Sequence, residues 1–256
     1  MKCKLEKAVD AYDAGPDRVL GLKPLMCRFQ DVVAEHSKMS GCGLEWLLDQ
    51  GRAWVMHRIC IRIHQMPVLG ETLTFVTWHR GEKGYKAFRD FEVWSGAQKR
   101  ISASSLWLFM DLHNARILKV PRESRQWYTV ETDTAMEPGT DAGMDSFRPV
   151  PRTPLPEVDV MTIRRSDIDP IGHVNNAVYL DFLETAVGRL SSEPRKINRL
   201  MIQYHKEISG DIPKIRVGIA EENGRFDFTL ASETGIHAFG EFTTGQFTEN
   251  HGSHPG

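Results

Sequence analysis

The sequence predicts an α+β protein built from two tandem units, each a helix followed by about four antiparallel strands. Three observations carry this expectation. A strand, tight turn and return strand occur twice at matched spacing, a further strand closed by a turn follows each copy, and a helix-like segment precedes each. In the first half the helix signal is GLEWLLDQG, from Gly43 to Gly51. Next come a strand from Ala53 to Met66, a turn at Pro67, Gly70 and Glu71, and a return strand from Thr72 to Trp78. GEKG, Gly81 to Gly84, has the composition of a hairpin turn rather than of a phosphate loop. In the second half the helix spans Asn176 to Leu190. The strand is Asn198 to Glu207, the turn Ser209, Gly210 and Asp211, and the return Lys214 to Ala220. Gly70-Glu71 thus corresponds to Gly210-Asp211, and AFRDFEVWSG (Ala87 to Gly96) aligns with FDFTLASETG (Phe226 to Gly235). The expected division is a first unit over 1–120, a connector over 121–156 rich in proline and polar residues, a second unit over 157–247, and a disordered polar tail over 248–256.

Composition narrows the function classes. With 256 residues, 41% hydrophobic and 26% charged, the chain can bury a substantial core. A net charge of -2 and a pI near 6.6 argue against nucleic acid as the main partner, because phosphate binding needs a concentrated basic surface. No apolar run approaches the roughly 20 residues of a bilayer span, and MKCKLEKAVDAYDAG lacks an apolar signal core, so a cytoplasmic protein is expected. Cys3, Cys27, Cys42 and Cys60 form no CxxC pair, and His57 and His64 have no ligand-like neighbours, so neither disulfides nor a metal site is expected. GxSxG, HExxH, Walker and GxGxxG patterns are all missing, which removes the commonest serine-hydrolase, metalloprotease, NTPase and dinucleotide readings.

The chemistry gathers in RRSDIDPIGHVNNAVYLDFLE, Arg164 to Glu184. Asn175 or Asn176 suits an N-cap. Val178, Phe182, Ala186 and Leu190 form one apolar stripe and Tyr179, Leu183 and Val187 another, so a curled sheet is expected to enclose the helix. Glu184 is out of place there and needs a partner, for which Arg164 or Arg165 is available. Asp169 and His173 lie just ahead of the helix start, where free N–H groups and the positive end of the dipole suit a carbonyl oxygen that gains charge. Gly172 has no side chain to keep substrate from that backbone. Taken singly, Asp169-Pro170 is an ordinary turn, His173 a structural histidine and the asparagines a cap. In this order before an enclosed helix they point to a site.

DIDPIGHVNNAVYLDFLE resembles the motif of hotdog-fold thioesterases. With WVMHRICIRI, PVLGETLTFVTW and AFRDFEVW it makes the chain, from Leu22 to Gln246, similar to the acyl-[acyl-carrier-protein] thioesterases of bacteria and plastids. The resemblance implies two tandem hotdog repeats, each a curled antiparallel sheet around a long helix, and hydrolysis of fatty acyl thioesters without a cofactor. It puts the family's catalytic aspartate on Asp169, its histidine on His173 and its later glutamate on Glu207 in IQYHKE. Many relatives carry Asn where this chain has Ile171, and plastid relatives often carry Cys where it has Ile208, so a cysteine–histidine mechanism is ruled out here. The Asp-Pro-x-Gly order also resembles single-hotdog acyl-CoA thioesterases, in which that aspartate is catalytic.

These residues leave Asp169 open as general base or nucleophile, with His173 orienting water, Asp169 or the departing thiolate, and Glu207 as base if Asp169 only positions. Gly172, Asn175 and Asn176 would hold the thioester. RFQDVVAEHSKMSGCG, taken as the first-half counterpart, has Asp31, Glu35 and His36 but not the motif order, so one active site is expected. The first-half helix, with Leu44, Leu47 and Leu48 on one side, is free to line an acyl pocket, for which Met39, Cys42, Leu44 and Trp46 are candidates. An acidic carrier protein would dock on Arg164, Arg165, Arg195, Lys196 and Arg199. The alternatives are an acyl-CoA thioesterase and a non-catalytic acyl-thioester-binding protein, as monomer or homodimer.

Overall fold

The computed structural model describes residues 1–137, 144–190 and 196–245. The tail over 248–256, expected to be disordered, and Arg195 lie outside the described residues. The chain runs β1 (Cys3–Ala8), α1 (Leu22–Met39), α2 (Leu44–Asp49), β2 (Arg52–Ile63), β3 (Thr72–Lys83), β4 (Lys86–Ser95), β5 (Gln98–Asp111) and β6 (Arg116–Ile117). The second half follows with β7 (Glu157–Thr162), α3 (Asn176–Arg189), β8 (Lys196–Tyr204), β9 (Lys214–Glu222), β10 (Arg225–Ser232) and β11 (Gly235–Gly245).

The described strands make one antiparallel sheet in the order β1-β3-β4-β5-β2-β8-β11-β10-β9-β7, with the short β6 paired to β5. Read from either edge inward, the two halves have the same order, so the duplication visible in sequence is a pseudo-twofold arrangement in space. Its seam is the β2–β8 pair, registered from Arg58 opposite Gln203 to Arg62 opposite Arg199. Alternation sends Ile59, Ile61, Ile63, Leu200 and Ile202 to one face, where they join α1 and α3 in a single apolar core.

The long helix of the first half is α1, not the Gly43–Gly51 segment, which forms only the six-residue α2. Leu22, Leu25, Met26, Phe29, Val32 and His36 of α1 are buried at helical spacing. Pro24 stands in its first turn, where a missing N–H costs nothing, and its N-cap, Gly21, has no side chain to cap with. The cap comes instead from the other half: Glu184 of α3 accepts the Leu22 N–H at 3.0 Å. Glu184 is therefore partnered by a helix terminus and not by Arg164 or Arg165. Arg164 pairs with Asp167 (3.0 Å) and Asp181 (3.2 Å). The mirror contact also exists: Gln30 of α1 donates to Asn175 Oδ1, the N-cap of α3, at 3.1 Å. Each helix thus places a polar side chain from its middle on the other's start.

The described residues between 121 and 156 carry a 3-10 turn at Arg122–Gln126, and some of them pack on the outer face of the sheet. They do more than connect. Met136 and Met144 pack on Cys60, Leu106 and Met201, Ala135 packs with Val76 and Trp78, and Tyr128 reaches the inner side of the first half.

Candidate active site

Asp169 opens a tight loop into α3. Its carbonyl accepts the Gly172 N–H at 3.0 Å with Pro170 at the first corner, where the ring's fixed φ suits the turn. Gly172 then takes φ 89°, a conformation that favours glycine, and a Cβ there would meet nothing within 4 Å. Asp169 Oδ1 accepts the N–H groups of Ile171 (3.0 Å) and His173 (3.2 Å), so the aspartate builds the loop it sits on. Its Oδ2 receives no hydrogen bond among the described residues.

The segment that follows β8 is brought alongside this loop. Val174 donates to the Ile208 carbonyl (2.9 Å), Gly210 to the Gly172 carbonyl (3.2 Å), and His173 bridges Ser209. Glu207 stands two residues before Ser209, the bridge partner of His173, in the same segment. Glu207 is exposed, while His173, Asn175 and Asn176 are half-buried. Asn175 is the N-cap: its Oδ1 accepts the Ala177 N–H at 2.9 Å, and its carbonyl takes the Val178 N–H. The Asn176 N–H, first in the helix, has no acceptor among the described residues, which leaves a donor at the positive end of α3.

Two residues that sequence reasoning did not select support this geometry. Tyr179 accepts the Ile208 N–H at 3.1 Å, and burial pushes its phenol up, with the charges of Glu207 and then Asp169 acting the same way. Both carboxylates therefore lie within electrostatic reach of one buried phenol. His237, fully buried on β11, holds the Glu207 carbonyl at 3.0 Å through Nδ1 and Ser232 Oγ at 2.8 Å through Nε2. The only sequence signal for either was a polar ring in an otherwise apolar run.

The first half repeats the hydrogen bonds of the loop without an Asp169 or His173. Gly15 donates to the Val19 carbonyl (3.1 Å) as Asp169 does to that of His173 (2.8 Å), and Gly21 donates to the Asp13 carbonyl as Asn175 does to that of Asp167. Gly15 and Val19 therefore stand where Asp169 and His173 do. The counterpart of the motif is residues 13–21, not the Arg28–Gly43 segment, most of which is α1.

Two family descriptions match this sequence: the acyl-ACP thioesterase N-terminal domain over residues 2–128 and the acyl-ACP thioesterase C-terminal domain over 155–240. The chain belongs to the acyl-ACP thioesterase family. Relatives of this thioesterase-family chain include a chloroplastic acyl-[acyl-carrier-protein] hydrolase of Cuphea viscosissima, 25% identical over 228 residues, covering 80% of this chain and 51% of the relative. Another is the dodecanoyl-[acyl-carrier-protein] hydrolase of Umbellularia californica, 24% identical over 216 residues, covering 80% and 56%. The chain thus spans about half the length of the curated relatives it matches. An acyl-ACP thioesterase of Bacteroides thetaiotaomicron superposes with a TM-score of 0.82 at 18% identity, over 95% of this chain and 98% of that one. The 12:0-ACP thioesterase of Umbellularia californica gives 0.79 at 19%, over 95% and 97%. These likenesses show the fold: two hotdog halves in one chain.

Other expected site residues fall elsewhere in this family member. Leu44 and Trp46, on the short α2, are exposed by 60% and 43%, and Met39, the last residue of α1, by 55%. Cys42 is buried, 3.1 Å from Tyr128 Oη. Ile171 is 54% exposed, so its side chain offers the site no polar group. No cluster of potential metal ligands occurs among the described residues, and none of their helices is long and apolar enough to cross a membrane.

Proposed function

We propose that the chain hydrolyses fatty acyl thioesters of an acyl carrier protein, with the Asp169 loop and the start of α3 as its reaction centre. The observation that carries the reading is the Oδ2 of Asp169, without a hydrogen bond among the described residues, on the loop that leads into a helix whose first N–H is unengaged, in a chain of a family whose relatives are named for acyl-carrier-protein hydrolysis. In this reading the thioester oxygen sits at the Asn176 N–H, where developing negative charge gains most. Asp169 takes a proton from water, the hydroxide bonds the carbonyl carbon, and collapse breaks the C–S bond. The thiolate takes up the proton and leaves with the carrier, and the acyl group departs as free acid. His173 orients the water, and Glu207, its carbonyl held by His237, completes the polar rim.

The rival is acyl-CoA hydrolysis by the same chemistry, which the Asp-Pro-x-Gly order favours. Thiol release from carrier-bound and CoA-bound substrates of equal chain length separates the two. A higher kcat/KM on the carrier substrate is expected. A higher value on CoA would overturn the carrier assignment, and binding without thiol release would overturn hydrolysis.

A further inference from the structure

The inner face of the first half changes character along α1. Near the middle of the helix Phe29 packs on Phe75 and Phe91, with ring centroids 6.3 and 4.5 Å away. Two turns further on, the same face carries a buried polar cluster around Arg89, which is only 5% exposed. Its Nη1 donates to His36 Nδ1 at 2.8 Å and lies 3.4 Å from Thr77 Oγ1, and the guanidinium is 5.0 Å from the Tyr128 ring. Burial, with Arg89 acting the same way, pushes His36 down to about 3 and His79 down to about 4, so both rings are neutral at ordinary pH. Glu82 faces His79 (3.6 Å) and Ser124 (2.8 Å) instead of the guanidinium. Among the described residues no carboxylate contacts Arg89. A buried cation without a counter-charge is costly, so its presence calls for a reason.

The fold does not supply that reason. His79 stands opposite Arg89 across β3–β4, and in the duplicated half the equivalent pair is Ile219 opposite Phe228 across β9–β10. There Phe228 packs against Phe242, with Phe226 stacked on it, in a purely apolar solution to the same packing problem. Beside Arg89 the first half instead leaves a cavity of about 40 Å³, lined by Val33, Ser37, Trp54, His79, Arg89 and Tyr128 among others. That is room for a group the size of a carboxylate. The Trp54 Nε1–H is buried with no acceptor. A cation and an unsatisfied donor therefore border one small space.

One stripe of α1 connects the cavity to the proposed reaction centre. Gln30, Val33 and Ser37 share one stripe of α1; Gln30 touches the α3 cap Asn175, and Ser37 touches Tyr128 (2.7 Å) at the cavity. Seven residues of helix separate the two ends by roughly 10 Å, and Gln30 and Val33 remain partly accessible along the way. We infer that this cavity receives the far end of a medium-length acyl chain that bears a terminal carboxylate, which pairs with Arg89 and accepts the Trp54 N–H. The inference rests on the acyl-thioester reading above and adds the substrate class.

The test compares octanoyl with its ω-carboxyl analogue of equal carbon count, both loaded on carrier protein, and repeats the comparison from hexanoyl to dodecanoyl. At the best-fitting length the wild-type chain is expected to favour the carboxylated substrate in kcat/KM by about tenfold or more, the yield of one charge-assisted hydrogen bond. Arg89→Met should erase that ratio and Trp54→Phe should reduce it. Preference for the plain chain at every length, or a ratio unchanged in a folded Arg89→Met, overturns the inference. Should Arg89→Met not fold, the wild-type ratio and Trp54→Phe decide. If neither substrate turns over, the hydrolase reading fails on its own, and calorimetry with non-hydrolysable amide analogues still decides the pocket. Tighter binding of the carboxylated amide supports it; equal or weaker binding overturns it.

Discussion

Glu184 shows how one side chain can serve the fold at a cost that depends on pH. Burial raises its carboxyl to about 7, against a lowering contribution from the Leu22 N–H. Between its ordinary value near 4.5 and about 7 the folded chain holds a proton that the unfolded chain releases, so this contribution to stability is complete at low pH and is lost as pH rises through 7. Glu184→Gln keeps an oxygen for Leu22 and removes the charge. It is expected to raise stability at pH 8 by on the order of 2 kcal/mol and to leave it little changed at pH 4, as chemical denaturation at the two pH values would show. Gln30, its counterpart on α1, already has the neutral form. Asp169 was legible in sequence because its motif order is specific, but its dual use was not. The bonds from Ile171 and His173 to Oδ1 are contacts of the folded loop, and only they reveal that the carboxylate proposed to react also builds the turn.

The second-half helix was readable because its signals are local: Asn175 caps it and two apolar stripes enclose it. Its first-half twin was not, because α1 lacks a side-chain cap and takes one from Glu184, 162 residues away. Pro24 in its first turn reads locally as a break. The pocket residues shift with the helix, since Met39 ends α1 on its exposed side and Leu44 and Trp46 follow it, away from its buried face. The strands were found because alternation and turn glycines are local, whereas the β2–β8 seam joins segments with no mutual signal in sequence. Asn175 ties helix, loop and twin helix together, so Asn175→Ala loses the Ala177 cap and the Gln30 contact at once. A loss of about 1–2 kcal/mol in thermal or denaturant unfolding is expected, with a fall in kcat as the start of α3 loosens. Unchanged stability would mean that Gln30 or water replaces the cap.

Across the whole molecule, duplication supplied a scaffold in which the halves diverged in opposite senses. The second half has Asp169 and His173 in its loop and an apolar interior, while the first half has Gly15 and Val19 in the loop and a cation inside. The surface expected to meet a carrier is smaller than its basic residues suggested. Lys196 pairs with Asp17 at 3.3 Å and Arg164 with two aspartates, which leaves Arg165 without an ion pair among the described residues. Arg165→Glu is therefore expected to raise KM several-fold for a carrier-bound substrate at low salt, with kcat preserved and the difference shrinking as salt screens the encounter. An unchanged KM would remove this surface from the docking face.

Asp169→Asn tests the central claim most directly. Asparagine keeps an oxygen for the Ile171 and His173 N–H groups, so the loop and the melting temperature should persist while the base is lost. Single-turnover hydrolysis of an acyl-carrier substrate is expected to slow by roughly 10²–10⁴. A variant that stays folded and hydrolyses within a few-fold of the wild-type rate would contradict the account.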